Sequence, residues 1–275
     1  MVAALGSDVL AALAEGARAQ ARAENFPVAL RVLPRRPRAR LLALYDFARF
    51  VDDVGDSPYD VDGRPATAAD RLALLDVVDA DLDAASPRLA PVAGLAPLRA
   101  EGTPVAPFHD LVAANRQDQV VTSYRDFADL VAYCRLSADP VGRVVLHVAG
   151  AATPARTAWS DDVCTALQVL EHCQDVAEDA ARGRVYLPQT DLARGDETAA
   201  VAVNVERAEA LLRSGPPLVA SLSGWARVAV AGFVAGGLAT ADALRAAGFR
   251  TTGPTVTPGH RATAVHGARL WAGRA

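Results

Sequence analysis

Along this chain, Gly and Pro punctuate the apolar pattern into helix-sized segments, and helices, not strands, lie between the breaks. The breaks fall at Ser57-Pro58, Gly63-Arg64-Pro65, Ser86-Pro87, Gly102 to Pro107, Thr153-Pro154, Gly183, Gly215-Pro216-Pro217 and Gly253-Pro254. About eight helices are expected between them. Thr67 with Asp70, and Ser123 with Asp126, have capping-box spacing, while Gly183, Gly215 and Gly248 stand where helices commonly stop. The stretch from Ala85 to Pro107 reads as a mobile connection and the tail after Gly248 as irregular, with nothing to suggest a second domain within residues 1–275.

Two helices carry acids on an apolar background. The first reads Leu41-Leu42-Ala43-Leu44-Tyr45-Asp46-Phe47-Ala48-Arg49-Phe50-Val51-Asp52-Asp53-Val54-Gly55-Asp56, so apolar around its circumference that it must be largely enclosed. Tyr45, Arg49, Asp52 and Asp56 follow at i, i+4, i+7 and i+11, one stripe about 16 Å long. The second, from about Ser160 to Arg182, repeats the design with Gln168, Glu171, Asp175 and Asp179 on one face.

Carboxylates one turn apart on a partly enclosed helix repel one another and lose hydration, and a divalent cation reverses both costs. Mg2+ suits the task because it binds through a few carboxylates, keeps several waters and shares its remaining positions with phosphate oxygens. Either motif alone reads more readily as a solvated face or as acids paired with nearby Lys or Arg; the two together favour a metal-bound diphosphate. A ferritin-like di-iron bundle needs Glu-x-x-His pairs, and none of His109, His147, His172, His260 or His266 has a Glu three residues before it.

Composition narrows the picture. Hydrophobic residues make up 51% and aromatics 5%, so Ala, Val and Leu dominate, as suits packed helices. A net charge of -4 and the lack of a polybasic run argue against a nucleic-acid partner. Cys134, Cys164 and Cys173 form no CxxC and read as small buried residues in a reducing compartment. Asp8 and Glu15 interrupt the N-terminal apolar residues, which do not read as a secretion signal, and a cytoplasmic location is expected. The uncharged stretch Val228 to Ala241 contains three glycines, falls short of a bilayer span and reads as a core helix. No G-x-G-x-x-G or P-loop pattern suggests a nucleotide cofactor.

With these residues in view, the sequence resembles the squalene/phytoene synthase family over nearly its whole length. Within the family it is most similar to the bacterial hydroxysqualene synthases of hopanoid biosynthesis. The likeness is carried by Glu24-Asn25-Phe26-Pro27-Val28-Ala29, Arg116-Gln117-Asp118-Gln119, Tyr133-Cys134-Arg135-Leu136-Ser137-Ala138-Asp139-Pro140-Val141-Gly142-Arg143 and Gly183-Arg184-Val185-Tyr186-Leu187-Pro188-Gln189. The resemblance implies a single all-α isoprenoid synthase domain, a helical bundle with a central cavity. It also implies that Asp52, Asp56, Glu171, Asp175 and Asp179 hold Mg2+ and that Arg49 supplies positive charge to the diphosphate. Asn25, Asp118 and Gln168 match polar positions near the substrate, and Tyr45, Tyr133 and Tyr186 are candidate catalytic aromatics. Many relatives carry Asn where this chain has Glu171.

By the same resemblance the substrate is presqualene diphosphate and the product hydroxysqualene, formed by water capture without a redox cofactor. An upstream presqualene diphosphate synthase, a downstream hydroxysqualene dehydroxylase and peripheral contact with the inner face of the membrane for product release are implied partners. The alternatives are a condensing enzyme that joins two prenyl diphosphates and a non-catalytic prenyl-binding protein. Pro140 falls in what reads as one helix from Tyr124 to Gly150, where it frees the Leu136 carbonyl. The resulting kink either turns that dipole toward the cavity or merely improves packing. Glu178 is expected to pair with Arg182, and the remaining arginines near the motifs, Arg35, Arg36, Arg38, Arg40 and Arg184, read mostly as surface residues.

Overall fold

The computed structural model describes residues 8–16, 33–251 and 255–273. They group into two compact units, one reaching to Val120 with His147–Ala149, the other comprising Val121–Leu146 and the residues from Gly150 onward. After a helical segment at residues 8–16, the first unit contains α1 (Arg35–Asp56), a two-stranded hairpin β1 (Asp60–Val61) and β2 (Arg64–Pro65), α2 (Ala68–Leu82), α3 (Ala90–Ala93), α4 (Ala96–Ala100) and α5 (Ala106–Gln117). α1, α2 and α5 pack on one another. Their shared core holds Phe47, Phe50, Leu75, Val78 and Phe108, with the rings of Phe47 and Phe108 edge to face at 5.4 Å.

Thr67 caps α2 in the capping box expected of it, accepting from the Asp70 amide while the Asp70 side chain accepts from the Thr67 amide. Among the described residues, an isolated bridge between Ser123 and Val185 and the hairpin before α2 depart from an all-helical pattern. Asp62 and Gly63 supply the left-handed backbone that its two-residue turn requires. The Ala85 to Pro107 stretch is more ordered than its composition suggests, because Val92, Leu95 and Leu98 on and beside α3 and α4 are fully buried among its prolines.

The second unit contains α6 (Phe127–Ser137), α7 (Asp139–Val148, whose end joins the first unit), α8 (Pro154–Gln174), α9 (Val176–Ala181), α10 (Gln189–Leu192), α11 (Glu197–Leu212), α12 (Gly215–Ser221), α13 (Gly224–Ala246) and α14 (His260–Trp271). α8 is its axis, touching α6, α11, α12 and α13. Four expectations need correction here. Asp126, not Ser123, caps α6 by accepting from the Asp129 amide, because Ser123 lies in extended backbone bridged to Val185. Gly215 opens α12 against Val234 instead of ending a helix. The tail after Gly248 contains α14, a full helix packed on α13.

The fourth concerns Pro140, which does not kink a continuous helix. The chain breaks at Ala138 and restarts as α7, with Pro140 in the first turn, where a missing amide costs nothing. The Leu136 carbonyl thus belongs to the last turn of α6. What the block from Arg135 to Arg143 secures is the packing of α7 on α8. A Cβ at Gly142 would lie 2.4 Å from Ser160 Oγ and 2.6 Å from Cys164 Sγ, so only glycine fits there. Arg143 donates two bonds to Asp161, at 3.1 and 2.9 Å.

Asp139 is almost wholly buried and accepts from Thr165 Oγ1 at 2.9 Å. Loss of hydration, then the nearby Asp161 charge, push its pKa up to about 7. The native state therefore holds a proton that the unfolded chain releases near its ordinary value of 3.8, so this residue lowers stability as pH rises from about 4 to about 7. Asp139→Asn, which keeps the acceptor for Thr165, is expected to flatten that slope and to raise the urea midpoint above pH 7. Unfolding curves at several pH values check it.

Cys134, Cys164 and Cys173 are free, and burial pushes the thiols of Cys164 and Cys173 up to about 12, as befits small packing residues. α13 is the one helix among the described residues long and apolar enough to cross a membrane by length and composition. Half of its apolar window is buried in the fold, so the core-helix expectation holds for one of its faces only.

Candidate functional site

The first acidic station is the C-terminal turn of α1. Pro34 precedes the helix, and Leu41, Leu44, Phe47, Val51 and Val54 anchor it in the core at spacings of three and four. A helix C-terminus carries partial negative charge and exposes carbonyls that lack partners. Here Arg71 of α2 donates to the Val54 and Ser57 carbonyls at 3.1 and 2.8 Å, and Tyr59 Oη donates to Val54 at 2.8 Å. The Arg71 guanidinium also lies over the Tyr59 ring at 4.8 Å. These contacts fix the turn that bears Asp52, Asp53 and Asp56.

Asp52 and Asp56 both reach the surface, while Asp53 is buried. Asn115 of α5 donates to Asp52 at 3.0 Å, orienting the carboxylate. Crowding by protein raises the Asp52 pKa to about 7: lost hydration is the largest cause, with the Asp56 and Asp53 charges adding to it against the Asn115 bond and Arg49. The side chain keeps an accessible edge, open to water or to a ligand. Asn115 approaches this closely because residue 55 is glycine. A Cβ there would sit 2.1 Å from Asn115 Oδ1. Gln119 adds a bond from its side chain to the Gly55 carbonyl at 3.1 Å.

Arg49 stands one turn before these acids with Nε 3.2 Å from Asp53, so part of its charge is already engaged on its own helix. Tyr45 lies a further turn back on α1, and Asp118 caps the end of α5 beside Gln117. Asn115 carried no signal in the sequence beyond its place directly before Arg116, and Gln119 stood in a quoted block without a role. Arg116 itself binds Asp79 at 3.0 Å and Asp76 at 2.7 Å, bracing α5 on α2. Arg36 and Arg40 are spent on Glu101, and Arg182 pairs with Glu178 as expected. Asn25, with the block from Glu24 to Ala29, lies outside the described residues.

The second station differs from the expected continuous helix. α8 ends at Gln174, Asp175 takes up φ -102° and ψ 15°, and α9 restarts at Val176. Asp is a poor helix former, and at a helix C-terminus, next to Glu171, its charge opposes the dipole as well. The break redirects Asp179, which turns back toward His172, Nδ1 to Oδ2 3.6 Å, instead of continuing the stripe. Asp179 Oδ2 is buried and accepts no hydrogen bond among the described residues. Hydration lost to the surrounding protein, and then neighbouring acids, push the Glu171 and Asp175 carboxyls above the usual range, while Glu171 keeps an exposed edge; for Glu171 the His172 ring works against the rise.

Next to these acids lies a buried cluster of four rings. The segment after Gly183, whose φ of 80° ends the α9 turn, runs beside residues 122–125 through Val185 N donating to Thr122 at 2.8 Å and Gln189 N to Tyr124 at 2.9 Å. This pairing stacks Tyr186 on Tyr124 with centroids 5.6 Å apart. Tyr186 also stacks on His172 at 3.7 Å, and Tyr133 meets Tyr186 at 5.4 Å. Gln168 Nε2 lies 3.4 Å from His172 Nε2. Tyr133, Tyr186 and Gln168 were expected here; Tyr124 and His172 were not. His172 sits inside the quoted acidic motif, but its role depends on the break at Asp175.

Among the described residues no three His, Cys, Asp or Glu side chains already converge as a ready-made metal site. The donors offered are hard carboxylate oxygens at two helix C-termini, and the Asp179 oxygen among them is orphaned. That chemistry suits a cation that keeps water and takes its remaining oxygens from a substrate.

This helical arrangement matches the crystal structure of squalene synthase HpnC from Alicyclobacillus acidocaldarius with a TM-score of 0.76 at 33% identity, over 90% of this chain and 99% of that one. The fold is that of an all-α isoprenoid synthase. Residues 19–264 match the squalene/phytoene synthase family, and the chain belongs to it. It is 36% identical over 209 residues to the hydroxysqualene synthase of Rhodopseudomonas palustris, a match covering 74% of this chain and 66% of that protein. To the phytoene synthase of Mycobacterium tuberculosis it is 34% identical over 198 residues, covering 70% and 64%. The matched region thus spans slightly less than two thirds of either relative.

Proposed function

We propose that the protein ionises presqualene diphosphate and captures the rearranged cation with water, giving hydroxysqualene and diphosphate. The observation that carries the reading is the pair of carboxylate stations at helix C-termini, Asp52 with Asp56 and Glu171 with Asp175 and Asp179, in which lost hydration and neighbouring acids disfavour the ionised Asp52, Glu171 and Asp175, a cost that a bound cation would relieve. The similarity to a hydroxysqualene synthase supports the choice of substrate. These five acids would hold Mg2+, which, when bound, neutralises the charge developing on the departing diphosphate oxygens.

The rest falls to side chains of this chain. Asn115 holds Asp52 in its orientation, and His172, with Gln168 beside it, holds the Tyr186 ring in its own. Arg49 adds positive charge that remains fixed as the bond breaks, which favours the transition state. The aromatic cluster of Tyr124, Tyr133 and Tyr186 would supply an electron-rich wall that stabilises a nearby carbocation without attacking it. The C–O bond to diphosphate breaks, a C–O bond to water forms, and water loses one proton. No electron donor is needed.

The likeness to a phytoene synthase favours a second reading, a condensing enzyme that joins two prenyl diphosphates. Labelled presqualene, farnesyl and geranylgeranyl diphosphates, each incubated with purified protein and Mg2+ with and without NADPH, separate the two. Hydroxysqualene from presqualene diphosphate alone, unaffected by NADPH, is the expected product. Formation of presqualene diphosphate or phytoene from the shorter substrates, with presqualene diphosphate left intact, would instead establish the condensing enzyme.

A further inference from the structure

Of the buried side-chain polar atoms without a hydrogen-bond partner among the described residues, three are arginine Nε atoms and one is Asp179 Oδ2. The remaining one, Ser137 Oγ, is the only hydroxyl, and the chemistry above gives it no part. Ser137 ends α6 and continues the face on which Leu130, Tyr133 and Cys134 are buried, at spacings of three and four. A helical serine can satisfy itself on the carbonyl four residues back, and Ser137 makes no such bond. A buried hydroxyl without a partner costs stability that alanine in its place would not.

What lies opposite follows from how α6 and α7 run along α8. The Tyr133 ring meets the His172 ring at 6.0 Å, Asp139 accepts from Thr165 Oγ1 at 2.9 Å, and Gly142 lies against Ser160 and Cys164. As the number rises on one side of these contacts it falls on the other, and a single antiparallel register satisfies all three. The same register sets Ser137 level with Gln168, whose amide nitrogen is 3.4 Å from His172 Nε2. Helical side chains lean toward their helix N-terminus, so the Ser137 hydroxyl lies over the turn of Tyr133, about 6 Å along the stripe from it and beside the ring cluster.

We propose that Ser137 holds the water that captures the rearranged cation. The inference deepens the reaction proposed above and rests on it. A buried water takes about two to four polar partners, and Ser137 with Gln168 supplies the first two. The Ser137 hydroxyl accepts one O–H of the water, which leaves a lone pair of the water oxygen to meet the cation. A C–O bond forms, the resulting oxonium gives its proton to the departed diphosphate, a base that the reaction itself releases, and Ser137 ends unchanged. Without a water fixed at this place, the cation instead loses a proton from carbon to the same diphosphate and ends as a C30 hydrocarbon.

Purified Ser137→Ala, given labelled presqualene diphosphate and Mg2+, tests the proposal through two readouts, the rate of diphosphate release and the ratio of hydroxysqualene to C30 hydrocarbons. Ionisation precedes capture, so release should slow by no more than about threefold. The product ratio should fall by about tenfold, near the worth of one hydrogen bond. Ser137→Thr, which keeps a hydroxyl, should restore most of the ratio. An unchanged ratio in Ser137→Ala, with release slowed or not, overturns the proposal and leaves the reaction standing, because a packing role moves the rate alone. If the original protein forms no hydroxysqualene from presqualene diphosphate, the proposal falls together with the reaction. Equal melting temperatures confirm folding; should Ser137→Ala fail to fold, Ser137→Cys, similar in size and a weak hydrogen-bonding partner, reads the same ratio.

Discussion

Asp52→Ala and Asp175→Ala are each expected to lower turnover of presqualene diphosphate by roughly a thousandfold while leaving the fold intact, because several kcal/mol of charge stabilisation are lost with a metal ligand. The unusual part is the sign of the stability change. Both carboxyls are pushed above the usual range by lost hydration and by neighbouring acids, so ionised they burden the ligand-free protein. Asn115 also donates to the Leu111 carbonyl, so removing Asp52 does not strip its amide of every partner, and Asp175 makes no side-chain cap. The thermal midpoint without Mg2+ should stay level or rise. Saturation with Mg2+ and diphosphate should raise it for the original protein and much less for either variant. Full turnover in both variants would remove the metal reading; turnover lost through unfolding would show only as a fallen midpoint.

Asp191→Ala should destabilise the protein by about 3 kcal/mol, the lower end of the cost of breaking a buried ion pair. Asp191 is 5% exposed on the single turn of α10. Arg207 of α11 grips it through both terminal nitrogens, one at 3.1 Å, and Asn204, fully buried, donates to it at 3.2 Å. Arg207 in turn stacks over Phe127 at 4.7 Å, joining α10, α11 and α6. Truncation strands the amide and the guanidinium together, though the partial exposure of Arg207 lets water soften the loss. Urea unfolding at unchanged m-value reads the effect. Asp191→Leu combined with Arg207→Met should recover most of it, since no stranded charge remains; equal damage from the double change would mean that packing, not the pair, holds α10.

The same contrast explains what the sequence discloses and what it withholds. The acid stripe of α1 is legible because it rests on periodicity, and periodicity survives folding. Thr67 and Asp70 are legible because a capping box is local, whereas Ser123 has the same spacing and is drawn away by Val185, a partner about sixty residues distant. The break at Asp175 depends on the backbone angles of one residue, and with it goes the approach of Asp179 to His172. Asn115 was hidden for a related reason. Its importance follows from the closeness of α5 to α1, which the glycine at 55 permits but does not announce. Val92, Leu95 and Leu98 were masked by the prolines and alanines around them.

Arg71 ties the final carbonyls of α1 to a side chain of α2. The turn that presents Asp52 and Asp56 thus cannot fray as helix ends ordinarily do. In hydrogen exchange its amides should open together with those of α2, as one cooperative unit, and more slowly than the terminal turn of α14. The ligand-bearing end of the helix is then held ready before any cation arrives, and little ordering is left for binding to supply.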